Sequence, residues 1–179
     1  DEVPHFARLE RRGLDFGYSN DPTAIISIYY FQGGYILDEE CYQKGLLNKQ
    51  IADVILNLNN PTTLVVADSA EPKSIDDIKT YGVNIVGAEK GSDSVRNGIS
   101  IVQEQRISIT KRSVNLIKEY RNYLWEINKE GTILPVPEHA YSHSMDAVRY
   151  ALSSIIKQPT FTIPKATPAL PKYYNELGL

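Results

Sequence analysis

The chain has 179 residues, 42% of them hydrophobic, and a formal net charge of -3; this is the size of one domain with a sizeable core. Its single cysteine, Cys41, excludes an internal disulfide, and the absence of a basic start followed by a long apolar run excludes a signal peptide or membrane helix, so a soluble intracellular protein is expected. The negative balance argues against holding nucleic acid by bulk charge, although an acidic centre and basic residues elsewhere would cancel in that sum.

In chain order, residues 12–16, 24–30 and 35–42 are predicted as strands. Gly33 and Gly34 supply a tight hairpin between the last two, because glycine reaches positive φ without steric cost. Leu47, Ile51, Val54, Ile55 and Leu58 then repeat at helical spacing, with Asn48 as the expected cap. Residues 63–67 form an apolar strand of the kind buried on both faces. A helix from Pro72 to about Gly82 and a strand over 83–86 follow.

Two further helices are expected, over 93–105 with Val95, Ile99 and Val102 inward, and over 114–128 with Ile117, Tyr120, Leu124 and Ile127 inward. Residues 107–109 make a brief strand between them. The last helix, 144–156, buries Met145, Val148, Leu152 and Ile155. The order implies an α/β domain at 13–156, preceded by a linker remnant at 1–12. A tail at 157–179 follows, where Pro159, Pro164, Pro168 and Pro171 resist helix.

Three acidic residues carry candidate chemistry. Asp15 alternates with Leu14 and Phe16, so its carboxylate faces away from their apolar side. Asp68 ends an apolar strand, where an ionised carboxylate needs water, a partner or a metal, and strand ends are where open α/β sheets place ligands. Asp146 lies three residues after His143 on the last helix, on the side opposite the Met145 stripe; a solvated helix face is an equal reading there. Arg149 and Tyr150 extend that polar side.

Converging carboxylates raise one another's pKa and call for protons or cations. An oxygen-rich set with one imidazole suits Mg²⁺ or Mn²⁺ better than zinc, and two such ions are able to hydrolyse a phosphodiester. Asn20, Asp21 and Pro22 read as turn formers. No serine-nucleophile elbow, P-loop or dinucleotide fingerprint is present.

The segments GLDFGYSNDPTA, VVADSAEPKSI, AEKGSDSVRNGI and HAYSHSMDAVRYA, in this order and separation, resemble the nuclease domain of the large terminase subunit of tailed double-stranded DNA bacteriophages. That resemblance implies a ribonuclease-H-like mixed central sheet flanked by helices. It implies endonucleolytic cutting of concatemeric double-stranded DNA with little sequence preference, in the host cytoplasm. Asp15, Asp68 and Asp146 would be the metal-binding catalytic triad, with His143 a supplementary ligand and Mg²⁺ or Mn²⁺, two ions, as cofactors. Lys90 and Arg96 would be DNA-contacting candidates; Glu71 would be a ligand, a DNA-facing charge or a helix-start residue. The partners implied are an N-terminal ATPase domain of the same protein, the portal and the small terminase subunit. Two alternatives compete: an actin-like or sugar-kinase-like ATPase fragment, from the acidic strand end followed by glycine and serine, and a non-catalytic resolvase-like DNA-binding domain.

Overall fold

The structure, a computed structural model, describes residues 2–91 and 93–156, without the side chains of residues 135 and 136. The tail expected at 157–179 lies outside the described residues.

Strands β1 (Arg8–Asp15), β2 (Thr23–Phe31) and β3 (Gly34–Gln43) form the antiparallel meander. Gln32 and Gly33 both take positive φ at the hairpin, the geometry that matches a two-residue turn to strand twist. β1 starts at Arg8, so residues 8–12, read above as linker, belong to this eight-residue strand. Helix α1 (Asn48–Leu56) leads to β4 (Val65–Ala67), α2 (Pro72–Thr80) and β5 (Ile85–Gly87). Asn48 is not the cap: Leu47 is, with its N–H donating to the Gln50 side chain, while Asn48 donates to Asp77 across to α2.

Helix α3 (Ser94–Gln103), β6 (Ile107–Ile109) and α4 (Val114–Asn122) follow. The expected long helix over 114–128 stops at Asn122, and Trp125–Ile127 (β7) pairs instead with Ile133–Pro137 (β8) in a separate hairpin. Its supposed inner stripe is largely outside, since Tyr120, Leu124 and Ile127 are exposed and the buried α4 residues are Leu116 and Glu119. A short 3-10 turn, His139–Tyr141, precedes α5 (His143–Ile155).

The main sheet has the order β5-β4-β1-β2-β3-β6. β4 runs parallel to β1 and to β5, and β6 runs parallel to β3, so the sheet is mixed and the apolar β4 is flanked on both sides. Period-two alternation divides the core. Leu14, Ile25, Val65 and Ala67 pack with α1 and α2 on one face, while Ala24, Ile26, Ile28 and Leu37 pack with α3, α4 and α5 on the other. Each of the fully buried Leu, Ile and Val side chains contributes roughly 1.5–3 kcal/mol.

Helix α5 is the central element of the second face. From His143 to Leu152 every residue but Asp146 is buried, because α5 is enclosed by the sheet, α3 and α4. It comes so near β1 that a Cβ on Gly13 would lie 1.9 Å from the Ala147 carbonyl oxygen. Only glycine permits that approach.

Candidate metal centre

Asp15 is the last residue of β1 and is 8% exposed. Asp68 follows β4, the parallel neighbour: Leu14 pairs with Ala67, and the Asp68 N–H donates to the Leu14 carbonyl at 3.2 Å. Two adjacent parallel strands therefore release their carboxylates at one sheet edge, the position where α/β sheets place ligands. Asp146 reaches the same place in the first turn of α5, carried there by the close packing of α5 on Gly13. The structure thus gathers all three aspartates at one end of β1, near enough that Asp146 and Asp68 both act on the charge of Asp15.

Each carboxylate is oriented by a different group. Asp15 Oδ2 lies 3.2 Å from His143 Nδ1. Asp146 Oδ1 accepts from Arg149 Nη2 at 2.7 Å and Nε at 3.2 Å. Asp68 Oδ1 accepts from the Ala70 N–H at 2.9 Å and pairs with the Lys90 ammonium. Lys90 and Arg149 both also lie over the Tyr150 ring, at 6.0 and 4.7 Å from its centroid.

Burial pushes Asp15 up to about 6, with the Asp146 and Asp68 charges adding to the rise and the His143 hydrogen bond opposing it. His143 is held above its ordinary range mainly by its bond to Asp15. Burial and two further negative charges nearby disfavour the ionised form of Asp15, a condition that a divalent cation shared by this carboxylate set would relieve. Its oxygens suit a hard ion.

Beside this group lies a second set. Asp21, His139 and His143 each offer a ligand atom within 4.8 Å of the others. His139 Nε2 stands 3.2 Å from Asp21 Oδ2, His143 Nε2 stands 3.6 Å from Asp21 Oδ1, and the two imidazoles meet edge to face at 5.0 Å. His143 joins the two sets, one nitrogen toward each.

His143 and Arg149 are buried, so the solvated-face reading of α5 does not hold. Sequence reasoning left Asp21 as a turn former and gave His139 no role; 118 positions separate them, and no local spacing marks the pair. Glu119 was also missed. It is 2% exposed on α4, and its Oε2 accepts the Ser144 N–H at 2.6 Å and the Met145 N–H at 3.3 Å, while its Oε1 accepts the Tyr42 hydroxyl at 2.8 Å. It thereby caps the helix that carries His143 and Asp146. Glu71 sits at the start of α2, with the Ser74 hydroxyl donating to it at 3.3 Å. Arg96 is exposed on the first turn of α3.

Residues 15–154 match the family described as the terminase RNase-H-like domain. The chain is 35% identical over 164 residues to the large terminase subunit of Bacillus phage SPP1, covering 88% of this chain and 38% of that protein. It is 27% identical over 145 residues to the PBSX phage terminase large subunit of Bacillus subtilis strain 168, covering 79% of this chain and 34% of that one. The chain therefore spans little more than a third of the length of these curated relatives. Among solved structures, the nuclease domain of the SPP1 large terminase g2p with bound Mn is similar with a TM-score of 0.74 and 31% identity, over 85% of this chain and 89% of that one.

Proposed function

The chain belongs to the terminase family of RNase-H-like domains, and from that premise we propose that it is a divalent-metal-dependent endonuclease whose Asp15, Asp68 and Asp146 hold the cations that cut double-stranded DNA. The observation that carries this reading is the convergence at the end of β1 of Asp15 with Asp68, which follows the paired strand β4, and with Asp146 from the first turn of α5, packed against Gly13. Mg²⁺ or Mn²⁺ ions, two of them given three carboxylates, supply Lewis-acid activation of water and charge stabilisation at the phosphoryl group. The chain's own residues do the positioning. His143 fixes one oxygen of Asp15, Arg149 holds Asp146, and the Ala70 N–H with Lys90 orients Asp68.

Lys90 and the exposed Arg96 on α3 are the proposed phosphate contacts. Binding through dispersed cations carries little sequence information, which agrees with cutting of low sequence preference. In the whole protein this activity would cut concatemeric viral DNA during packaging, in the host cytoplasm, beside an N-terminal ATPase domain, the portal and the small terminase subunit. Among the described residues no helix is long and apolar enough to cross a membrane.

Conversion of supercoiled plasmid with Mg²⁺ or Mn²⁺, with a chelator control, tests the proposal. Cutting that requires the ion and disappears in Asp68→Asn is expected. Ion-independent cutting, or plasmid binding with no cutting under any divalent ion, would reject it, the second outcome in favour of a non-catalytic DNA-binding domain.

A further inference from the structure

We propose that Tyr150 is a substrate-contacting residue of the nuclease centre, its hydroxyl donating a hydrogen bond to a non-bridging oxygen of the phosphodiester presented to the three aspartates. The inference rests on the nuclease reading above and adds to it a protein group that touches the substrate at the point of cutting.

Placement carries the first part. Tyr150 lies four residues after Asp146 on α5, so the two share a helix face. It is 6% exposed. Arg149, which holds Asp146, lies 4.7 Å from the ring centroid, and Lys90, which pairs with Asp68, lies 6.0 Å from it. A cation over an aromatic face is attracted to it, so the ring is fixed by the same two groups that orient two of the three carboxylates. Its hydroxyl is near enough to the centre that the charges of Asp146, Asp15 and Asp68 all act on it.

The hydroxyl itself carries the second part. A buried tyrosine ordinarily finds a partner for its O–H, as Tyr42 does in donating to Glu119 at 2.8 Å. Among the described residues the Tyr150 hydroxyl makes no hydrogen bond. Nor is it sealed in, as the Tyr123 hydroxyl is, so a ligand oxygen is able to reach it. A fixed ring with an open, uncommitted donor beside three carboxylates is the arrangement of a group that meets a ligand.

Chemistry selects the acceptor. Burial and the three carboxylate charges push the hydroxyl up from its ordinary value, which keeps it a donor and not a nucleophile. Lys90 beside the ring favours an anion there. The non-bridging oxygens of a phosphodiester gain charge as it is hydrolysed, so a preset donor aimed at one of them strengthens in the transition state.

Tyr150→Phe is the test, because it removes the hydroxyl and keeps the ring on which Lys90 and Arg149 rest. Single-turnover cleavage of plasmid at saturating Mn²⁺ is expected to fall about a hundredfold, the scale on which loss of one such donor acts. Binding of Mn²⁺, read from the paramagnetic resonance of the free ion, and affinity for a short duplex with chelator present should both stay within about twofold of wild type, as for an interaction made only in the transition state. Thermal unfolding should stay near wild type. Cleavage within about threefold of wild type would overturn the inference and leave Tyr150 as packing beneath the two cations. A matching loss of Mn²⁺ binding would also overturn it, by placing the hydroxyl in support of the metal ligands. A wild type that cuts under no divalent ion would reject the nuclease reading and this inference with it, whereas equal cutting by the two proteins rejects this inference alone.

Discussion

Two of the buried acidic groups among the described residues differ in their partners. At one, Asp38 accepts from Thr110 Oγ1 at 2.7 Å and Arg112 Nε at 2.8 Å, and its second oxygen pairs with Arg112 Nη2. Glu40 shares the same guanidinium at 2.9 Å and accepts from Ser27 at 2.8 Å. Those carboxylates are satisfied by protein groups, and they hold Arg112 above its ordinary range. At the other, Asp15 has one imidazole against burial and two neighbouring negative charges, and it is pushed up to about 6. The difference separates architecture from chemistry: a saturated acidic cluster fixes β3 to the segment before α4, whereas an under-compensated one leaves charge for an ion to meet.

The sharpest way to test the contrast is to neutralise one member of the under-compensated set. Asp146→Asn should reduce metal-dependent cleavage roughly a thousandfold, about 4 kcal/mol of barrier, while unfolding stays cooperative with a midpoint near wild type. Cleavage within a few-fold of wild type in a plasmid assay would place Asp146 outside the machinery.

Geometry rather than charge is addressed by Gly13→Ala. Its Cβ would meet the backbone of Ala147 at 1.9 Å, which no side-chain rotation relieves, so α5 must move or the fold must loosen. A loss of about 3 kcal/mol in urea unfolding is expected, with cleavage per folded molecule falling because Asp146 moves away from β1.

Arg112→Ala addresses the saturated cluster. It leaves Asp38 buried and short of hydrogen bonds to a charged donor, but Arg112 itself is 59% exposed, so the loss is discounted to about 1–2 kcal/mol. Cleavage per folded molecule at saturating Mg²⁺ should be unchanged. A selective loss of cleavage would erase the distinction between the two clusters.

The smallest effect is a pH dependence. The folded-state pKa of Asp15, about 6, lies above its ordinary 3.8, so the folded chain binds the extra proton between those values and metal-free stability falls as pH rises from about 4 to about 6. Asp15→Asn should flatten that portion of the profile and be more stable than wild type by about 1–2 kcal/mol at neutral pH with chelator present. Saturating Mg²⁺ should restore the wild type alone. Parallel pH profiles for the two proteins would show that Asp15 is not under-compensated.

What the sequence determined by itself rests on local periodicity and adjacency. The meander, the turn at Gly33, the buried β4 and the amphipathic helices each follow from spacing within a few residues, as does Asp15 alternating with Leu14 and Phe16. Even there, local pattern fails once a distant partner changes the balance. The apolar run after Asn122 reads as helix, yet Trp125–Ile127 pairs with a strand eight residues further on, and the α4 face that goes inward carries Glu119 because α5 needs its exposed amides capped.

The assembly of the site was decided by tertiary structure. Parallel pairing of β1 with β4 puts Asp68 beside Asp15, and contact between the Gly13 and Ala147 backbones brings in Asp146. His143 turns inward because α3 and α4 cover the side of α5 that an isolated helix would show to water. Asp21 and His139, set in a turn and a short 3-10 segment with no periodic signature, meet only when the first loop folds back over the start of α5. Hydrophobic spacing records which face of an element is buried; which charged groups converge depends on contacts between residues far apart in the chain, and a single sequence leaves no local trace of those.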